Sequence, residues 1–245
     1  MTEHNLEQEL NESEKWLVDG LKGLKNKFRT IDEDIYVRTG ETLTIEPGSV
    51  WKFATGKGIY VQGGLLQILG TEKELVVLQA KMVIWNGVNI EDTKLDNIFK
   101  YSTIRDGKKE FGGGIYIKNS LLSLEDCIIE KCEATCLGGG IFSNNSSLSM
   151  DTTTIKENHA TSYGGGVCND RNSSLRMNNT TIKENHASRG GGISNLNSSV
   201  RVCNTTIKNN HAQEGGGVIN YKSTLMLYGK NTIETNTPDN IYEEK

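Results

Sequence analysis

A chain of 245 residues, 35% of them apolar, is long enough to bury a substantial core, and 27 basic against 31 acidic residues (net −4) leave no electrostatic footprint for nucleic acid. The 27 glycines beside only 2 prolines exclude collagen-like and proline-rich disordered classes and point to many tight turns. No run of 18 apolar residues occurs, so no transmembrane segment is expected.

The chain opens on a charged stretch in which Leu6, Leu10, Leu17, Leu21, Leu24 and Phe28 fall on one helical stripe. This pattern predicts an amphipathic helix within residues 1–29 that caps whatever follows, with a membrane-surface helix as the sharper alternative. The stretch lacks the apolar h-region of a signal peptide, so a cytoplasmic location is expected. Extracellular or cell-surface placement would replace it if Met1 marks a truncation. Five cysteines, Cys127, Cys132, Cys136, Cys168 and Cys203, are odd in number and have no paired C-x-x-C spacing, which argues against a disulfide framework and against a zinc site.

From residue 30 to 111 the apolar residues come in short alternating bursts: Leu43/Ile45, Val50, Phe53, Ile59/Val61, Leu66/Ile68, Val76 to Leu78, Val88/Ile90 and Ile98 to Ile104. Pro47-Gly48 and other glycines separate them. Alternation by twos within such short runs reads as strands rather than helices.

Residues 112 to 236 turn this into a strict repeat. Gly-Gly-Gly triplets begin at positions 112, 138, 164, 190 and 215, at spacings of 26, 26, 26 and 25. Each unit carries an aliphatic after the glycines (Ile115, Ile141, Val167, Ile193, Val218), an apolar pair (such as Leu148/Met150) and a lone isoleucine (Ile129, Ile155, Ile182, Ile207, Ile233). A constant period of this size means stacked units. Three short strands per unit, closed by turns rich in Asn, Gly, Ser and Thr, describe an all-β fold, a parallel β-helix of about eight coils and roughly 35 Å length.

The other repeated letters then become ladders. Asn158, Asn185, Asn210 and Asn236 each follow the lone isoleucine by three residues and are read as a structural amide ladder, in part because asparagine tolerates left-handed turns. The N-x-[ST] sequons at Asn145, Asn172, Asn179, Asn197 and Asn204 are read as turn chemistry. Pro238 and the charged residues of 237–245 predict a tail that discourages further strand addition.

The segments "TLTIEPGSVWKF", "GIYVQGGLLQILGTEKELVVLQA", "WNGV" and "YSTIRDG", with the "GGGI…N" and "IKEN" units, resemble the right-handed parallel β-helix repeat proteins of the pectin-lyase-like superfamily. The Gly-Gly-x-Ile and Asn pairs look like the passenger repeats of polymorphic membrane proteins and adhesin-like surface proteins. The resemblance covers about residues 30 to 236 and implies the fold. It implies no single activity, because the superfamily holds lyases, hydrolases, tailspikes and adhesins. Its polysaccharide-cleaving members carry clustered aspartates, or Ca²⁺-binding acids beside an Arg or Lys, and this chain shows neither cluster.

Three arrangements invite chemistry. His159, His186 and His211 are equivalent positions of consecutive coils, close enough to consider a transition metal supported by Glu157 and Glu184, although a linear ladder does not converge on one point. Thr154, Thr181, Thr206 and Thr232 form a column next to Lys156, Lys183 and Lys208, and the lysines weaken an ice-binding reading. The one-residue insertion in "CNDRNSS" places Asp170 beside Arg171, with Glu125 and Asp126 two coils earlier as possible partner acids. The favoured function is a non-catalytic scaffold that binds carbohydrate or a protein partner and needs no cofactor. The opposing class is a polysaccharide lyase or glycoside hydrolase, which requires a cleft holding at least two acids with perturbed pKa.

Overall fold

Residues 27–244 are described by a computed structural model of the chain. Their strands stack in parallel into a β-helix of about eight coils, with three long sheets along its sides. Sheet 1 runs from Phe28–Ile31 to Thr232–Glu234 and sheet 2 from Ile35–Arg38 to Ile241–Glu244, nine strands each. Sheet 3 has eight strands, from Thr42–Ile45 to Thr224–Tyr228. A fourth sheet, absent from the three-strand expectation, joins Lys108–Phe111, Glu133–Leu137 and His159–Ala160 and continues as single bridges at His186, His211 and Thr237. Small side chains build it, since Ala134, Ala160 and Ala187 form their own miniature core.

Alternation decides which side chains enter the interior. Ile104, Ile129, Ile155, Ile182 and Ile207 stack in register as fully buried rungs of sheet 1. Full burial of each such side chain is worth roughly 1.5–3 kcal/mol. In the early coils the same volume is filled by larger groups: Trp51, Phe53, Trp85 and Phe99 are all fully buried, and the Phe53 and Trp85 rings stack at 4.4 Å. Those bulky substitutions explain why the sequence period is hard to see before residue 112.

The corners are left-handed. Glu157, Glu184 and Asn209 follow sheet 1, Thr152, Asn179 and Asn204 follow sheet 3, and Asn145 and Asn197 follow sheet 2, all with φ between 46° and 57°. A single left-handed residue between extended neighbours swings the chain to the next face. At these corners the residue after it turns inward and is polar, which builds ladders of Asn, Ser and Thr, whereas Cys127 and Cys132 take that place after the left-handed Asp126 and Lys131. The ladder asparagines therefore do not occupy the left-handed positions themselves; the preceding residue does. Asn158 Nδ2 donates to Asn185 Oδ1 at 3.0 Å, Asn185 to Asn210 at 3.0 Å, and Asn210 to Asn236 at 2.9 Å. A parallel ladder of Ser146, Ser173 and Ser198 accepts backbone N–H groups from the coil before, and after sheet 3 Thr205 Oγ1 accepts from the Thr180 N–H and Asn231 Oδ1 from the Thr205 N–H. The sequon asparagines are the left-handed residues directly before these hydroxyls.

The glycine triplets close the fourth corner. Gly164 has φ +68°, and a Cβ on Gly165 would stand 2.5 Å from the carbonyl oxygens of both Gly191 and His186. A Cβ on Gly166 would meet Gly192 O at 2.6 Å and Asn185 Nδ2 at 3.2 Å, so the amide ladder rests directly on the triplet.

Two expectations for the ends change. The helix expected within residues 1–29 lies mostly outside the described residues, and its last positions differ, since Phe28 begins a strand and is 73% exposed. The segment read as a tail supplies a strand instead: Ile241–Glu244 pairs in parallel with Val218–Tyr221. Among the described residues no helix is long and apolar enough to cross a membrane.

Candidate functional site

Each strand of sheet 2 turns its second and fourth residues outward. In-register pairing converts the second positions into a column that runs from Tyr36 and Tyr60 through Tyr116 and Phe142 to Cys168, Ser194 and Ile219. Alongside it the fourth-sheet segments align Phe111, Leu137, Tyr163, Arg189 and Glu214. Phe111 reaches Phe142 at 5.6 Å, so this second column walls the outer face of sheet 2 into a groove.

The two halves of the groove differ. In the first half Tyr36 and Tyr60 stack at 5.3 Å. Asn89 interrupts the aromatic column, and Lys109 fills the gap: its Nζ donates to Asn89 Oδ1 and lies 4.8 Å from the Tyr116 centroid and 5.9 Å from that of Tyr60. Burial pulls the Lys109 pKa down against the opposing charge of Glu91, and burial pushes the Tyr60 and Tyr116 phenols up.

The second half opens into a cleft of about 400 Å³ lined by Tyr163, Asp170, Arg189, Leu196, Asn197, Ile219 and Tyr221. Arg189 Nη1 donates to Tyr163 Oη at 2.8 Å, and its Nε lies 2.9 Å from Glu214 Oε2, which fixes the guanidinium at the wall. The Asp170 side chain is 15% exposed, and burial raises its pKa despite the opposing Arg171 backbone N–H and the Arg171 charge. The Arg171 side chain is itself 75% exposed, with Nε 3.6 Å from Asp170 Oδ2. The inserted residue is absorbed as a double left-handed corner at Arg171 and Asn172, φ 54° and 62°, where the neighbouring coils use only Asn145 or Asn197.

The insertion thus lies at the groove, but its expected partner acids do not join it. Glu125 faces outward on sheet 3, where it pairs with Lys100, and Asp126 forms the corner after it. Asp106, the other described carboxylate whose pKa burial raises, stands at the corner between sheets 1 and 4. Among the described residues, therefore, no second acid with a raised pKa faces Asp170 across the cleft.

The histidines form the ladder the spacing predicted, with ring centroids 5.4 Å and 5.0 Å apart and planes within 14° of parallel. Face-to-face stacking keeps the ring nitrogens at coil spacing rather than aiming them at one point, and Glu157 and Glu184 bind Lys156 and Lys183 instead. Among the described residues no group of three or more His, Cys, Asp or Glu side chains has metal-holding geometry. The Thr and Lys columns of sheet 1 run in register as expected, but Glu234 ends the lysine column and Lys156 bridges to Glu130 at 3.0 Å.

Lys109, Tyr116, Tyr163, Arg189 and Tyr221 were not singled out by sequence reasoning. Their signal was available: aligned on the glycine triplets, these are places where the repeated units disagree.

A family profile described as "Right handed beta helix region" matches residues 16–182. No match is found among curated proteins or among solved structures. The coils beyond residue 182 keep the same rungs, corners and ladders in register. With more than half of the chain matched by this profile and parallel coils along its length, the chain belongs to the right-handed β-helix family.

Proposed function

We propose that the protein is a non-catalytic binding scaffold that takes a carbohydrate chain along the outer face of sheet 2. The observation that carries this reading is the cleft around Asp170: one carboxylate, flanked by the rings of Tyr163 and Tyr221, with Arg189 and Asn197 as further polar contacts. Rings and a few fixed polar groups suit the faces and hydroxyls of sugars. Glycosidic cleavage by two carboxylates requires a partner about 5–10 Å from the first. The exposed Tyr36 and the partly buried Tyr60 and Tyr116 of the other half extend the same surface along the axis, which favours an elongated ligand over a compact one.

The test exposes the purified protein to arrayed neutral and acidic polysaccharides and assays the bound ones for new reducing or unsaturated ends. Binding without products, weakened at least about tenfold in Tyr163→Ala or Tyr221→Ala, is the expected result. Product release abolished by Asp170→Asn would replace this reading with the lyase or hydrolase one. Absence of binding to every polysaccharide would move the search to a protein ligand for the same groove.

A further inference from the structure

The outer face of sheet 3 carries a charge arrangement that the sheet 2 groove does not use. Ser123, Ser149, Arg176, Arg201 and Met226 form one outward column, so two guanidinium groups stand on directly paired residues of neighbouring strands. Strands are about 4.8 Å apart, and like charges directly opposite one another destabilise a sheet. Several other cations have acids beside them: Lys156 lies 3.0 Å from Glu130, Lys183 3.2 Å from Glu184 and Arg189 2.9 Å from Glu214. Neither Arg176 nor Arg201 has a described carboxylate within 4.0 Å.

The pair lines a shallow cleft of about 310 Å³ together with Ser149, Asp151, Asn178 and Cys203. Asp151 is the one acid there, and its Oδ1 is occupied, accepting from Asn178 Nδ2 at 3.0 Å and Asn179 Nδ2 at 3.3 Å. Arg201 is oriented by the Tyr228 ring, 5.2 Å from its guanidinium carbon. Two planar forks side by side, one of them held over an aromatic face, match the geometry of a bound oxyanion.

We propose that Arg176 and Arg201 form an oxyanion-binding site that receives the sulfate, phosphate or carboxylate group of an acidic ligand. The anion replaces the missing acid of the column, since it converts the repulsion between two cations into charge-assisted hydrogen bonds to both. The site lies on a different face from the sheet 2 groove and stands or falls independently of what that groove binds.

The test uses the full chain with ¹⁵N-labelled arginine. The Nε–H resonances are followed while sodium sulfate, phosphate or acetate is added at constant ionic strength against chloride. Saturable shifts of Arg176 and Arg201 at millimolar anion are expected, and Arg176→Gln or Arg201→Gln should weaken binding at least about tenfold. Arg171→Gln, on the other groove, should change nothing. A preference for sulfate and phosphate over acetate would assign a tetrahedral group, and the reverse order a carboxylate. Absence of saturation, or saturation unaffected by either substitution, overturns the proposal. A second measurement reads the repulsion itself: in chloride alone Arg176→Gln should melt no lower than the wild type, and a lower midpoint would remove the premise.

Discussion

Replacing Asn185 by Ala tests whether the inner amide ladder holds the coils together or merely accompanies them. The side chain is buried and makes four hydrogen bonds, all at 3.0 Å: Nδ2 donates to Asn210 Oδ1 and to Ile155 O, while Oδ1 accepts from the side-chain and backbone nitrogens of Asn158. After truncation Asn158 Nδ2 keeps Ile129 O, and Asn210 Oδ1 keeps the backbone N–H of residue 185. The backbone N–H of Asn158 and one of its amide protons are left without protein acceptors at a buried position. Two orphaned donors at about 1–3 kcal/mol each, with a small cavity, predict a loss of about 3–6 kcal/mol. Asn236→Ala, at the end of the ladder where the site is 7% exposed, should cost about half as much because water can reach the freed groups. Stacked coils need not unfold all at once, so urea denaturation should be paired with hydrogen exchange at the Asn158 amide. A cost below about 1 kcal/mol with Asn158 protection unchanged would refute the reasoning.

Three further outcomes follow from other parts of the structure. Gly165→Ala places a Cβ 2.5 Å from two carbonyl oxygens and should destabilise by at least about 2 kcal/mol, measured by urea midpoint; a neutral result would mean that the coils can spread at this corner. Burial, then the charges of His159 and His211, hold the His186 pKa below its ordinary 6.5, so the folded chain binds fewer protons than the unfolded one. Stability should therefore be fully present above that value and fall as pH drops through it, and His186→Phe should flatten the decline; equal pH dependence in both proteins would contradict the assignment. Cys127, Cys132 and Cys168 are buried, with Cys132 pushed up to about 12 and Cys168 also raised, whereas Cys136 and Cys203 are partly exposed. A thiol reagent at neutral pH should label the latter pair in the native protein and all five cysteines in denaturant.

Much of the architecture was readable because stacking makes the sequence repeat. The glycine triplets, the lone isoleucines and Asn158, Asn185 and Asn210 recur because each must meet its own counterpart in the next coil. The fourth sheet escaped notice because its interior is alanine, too small to register as an apolar anchor, although the His-Ala pairs at 159–160, 186–187 and 211–212 repeat it. The hydroxyl ladders escaped because Ser and Thr after a left-handed Asn resemble ordinary turn composition, and only the structure places Ser146 and Thr180 inside. At the insertion, sequence reasoning located Asp170 but not its surroundings, since Tyr221 lies two coils away and Tyr163 is brought beside it only by the fold at the glycine corner.

Periodicity finds the positions that every coil must share, and those positions carry the least functional information. The inner ladders fix each coil against the next whatever its outward residues are, which frees the outer columns to vary. On sheet 1 they hardly do, as Thr154, Thr181 and Thr206 repeat one residue. On sheet 2 the equivalent column passes from Tyr116 to Phe142 to Cys168 to Ser194, and on sheet 3 a run of serines gives way to Arg176 and Arg201. A surface that only had to be soluble would gain nothing from two adjacent arginines without a carboxylate beside them or from a half-buried lysine held between tyrosines, both of which carry an electrostatic or desolvation penalty. Departures from the repeat that cost stability are where selection for binding would leave its mark, and Lys109, Asp170 and the Arg176–Arg201 pair are such departures.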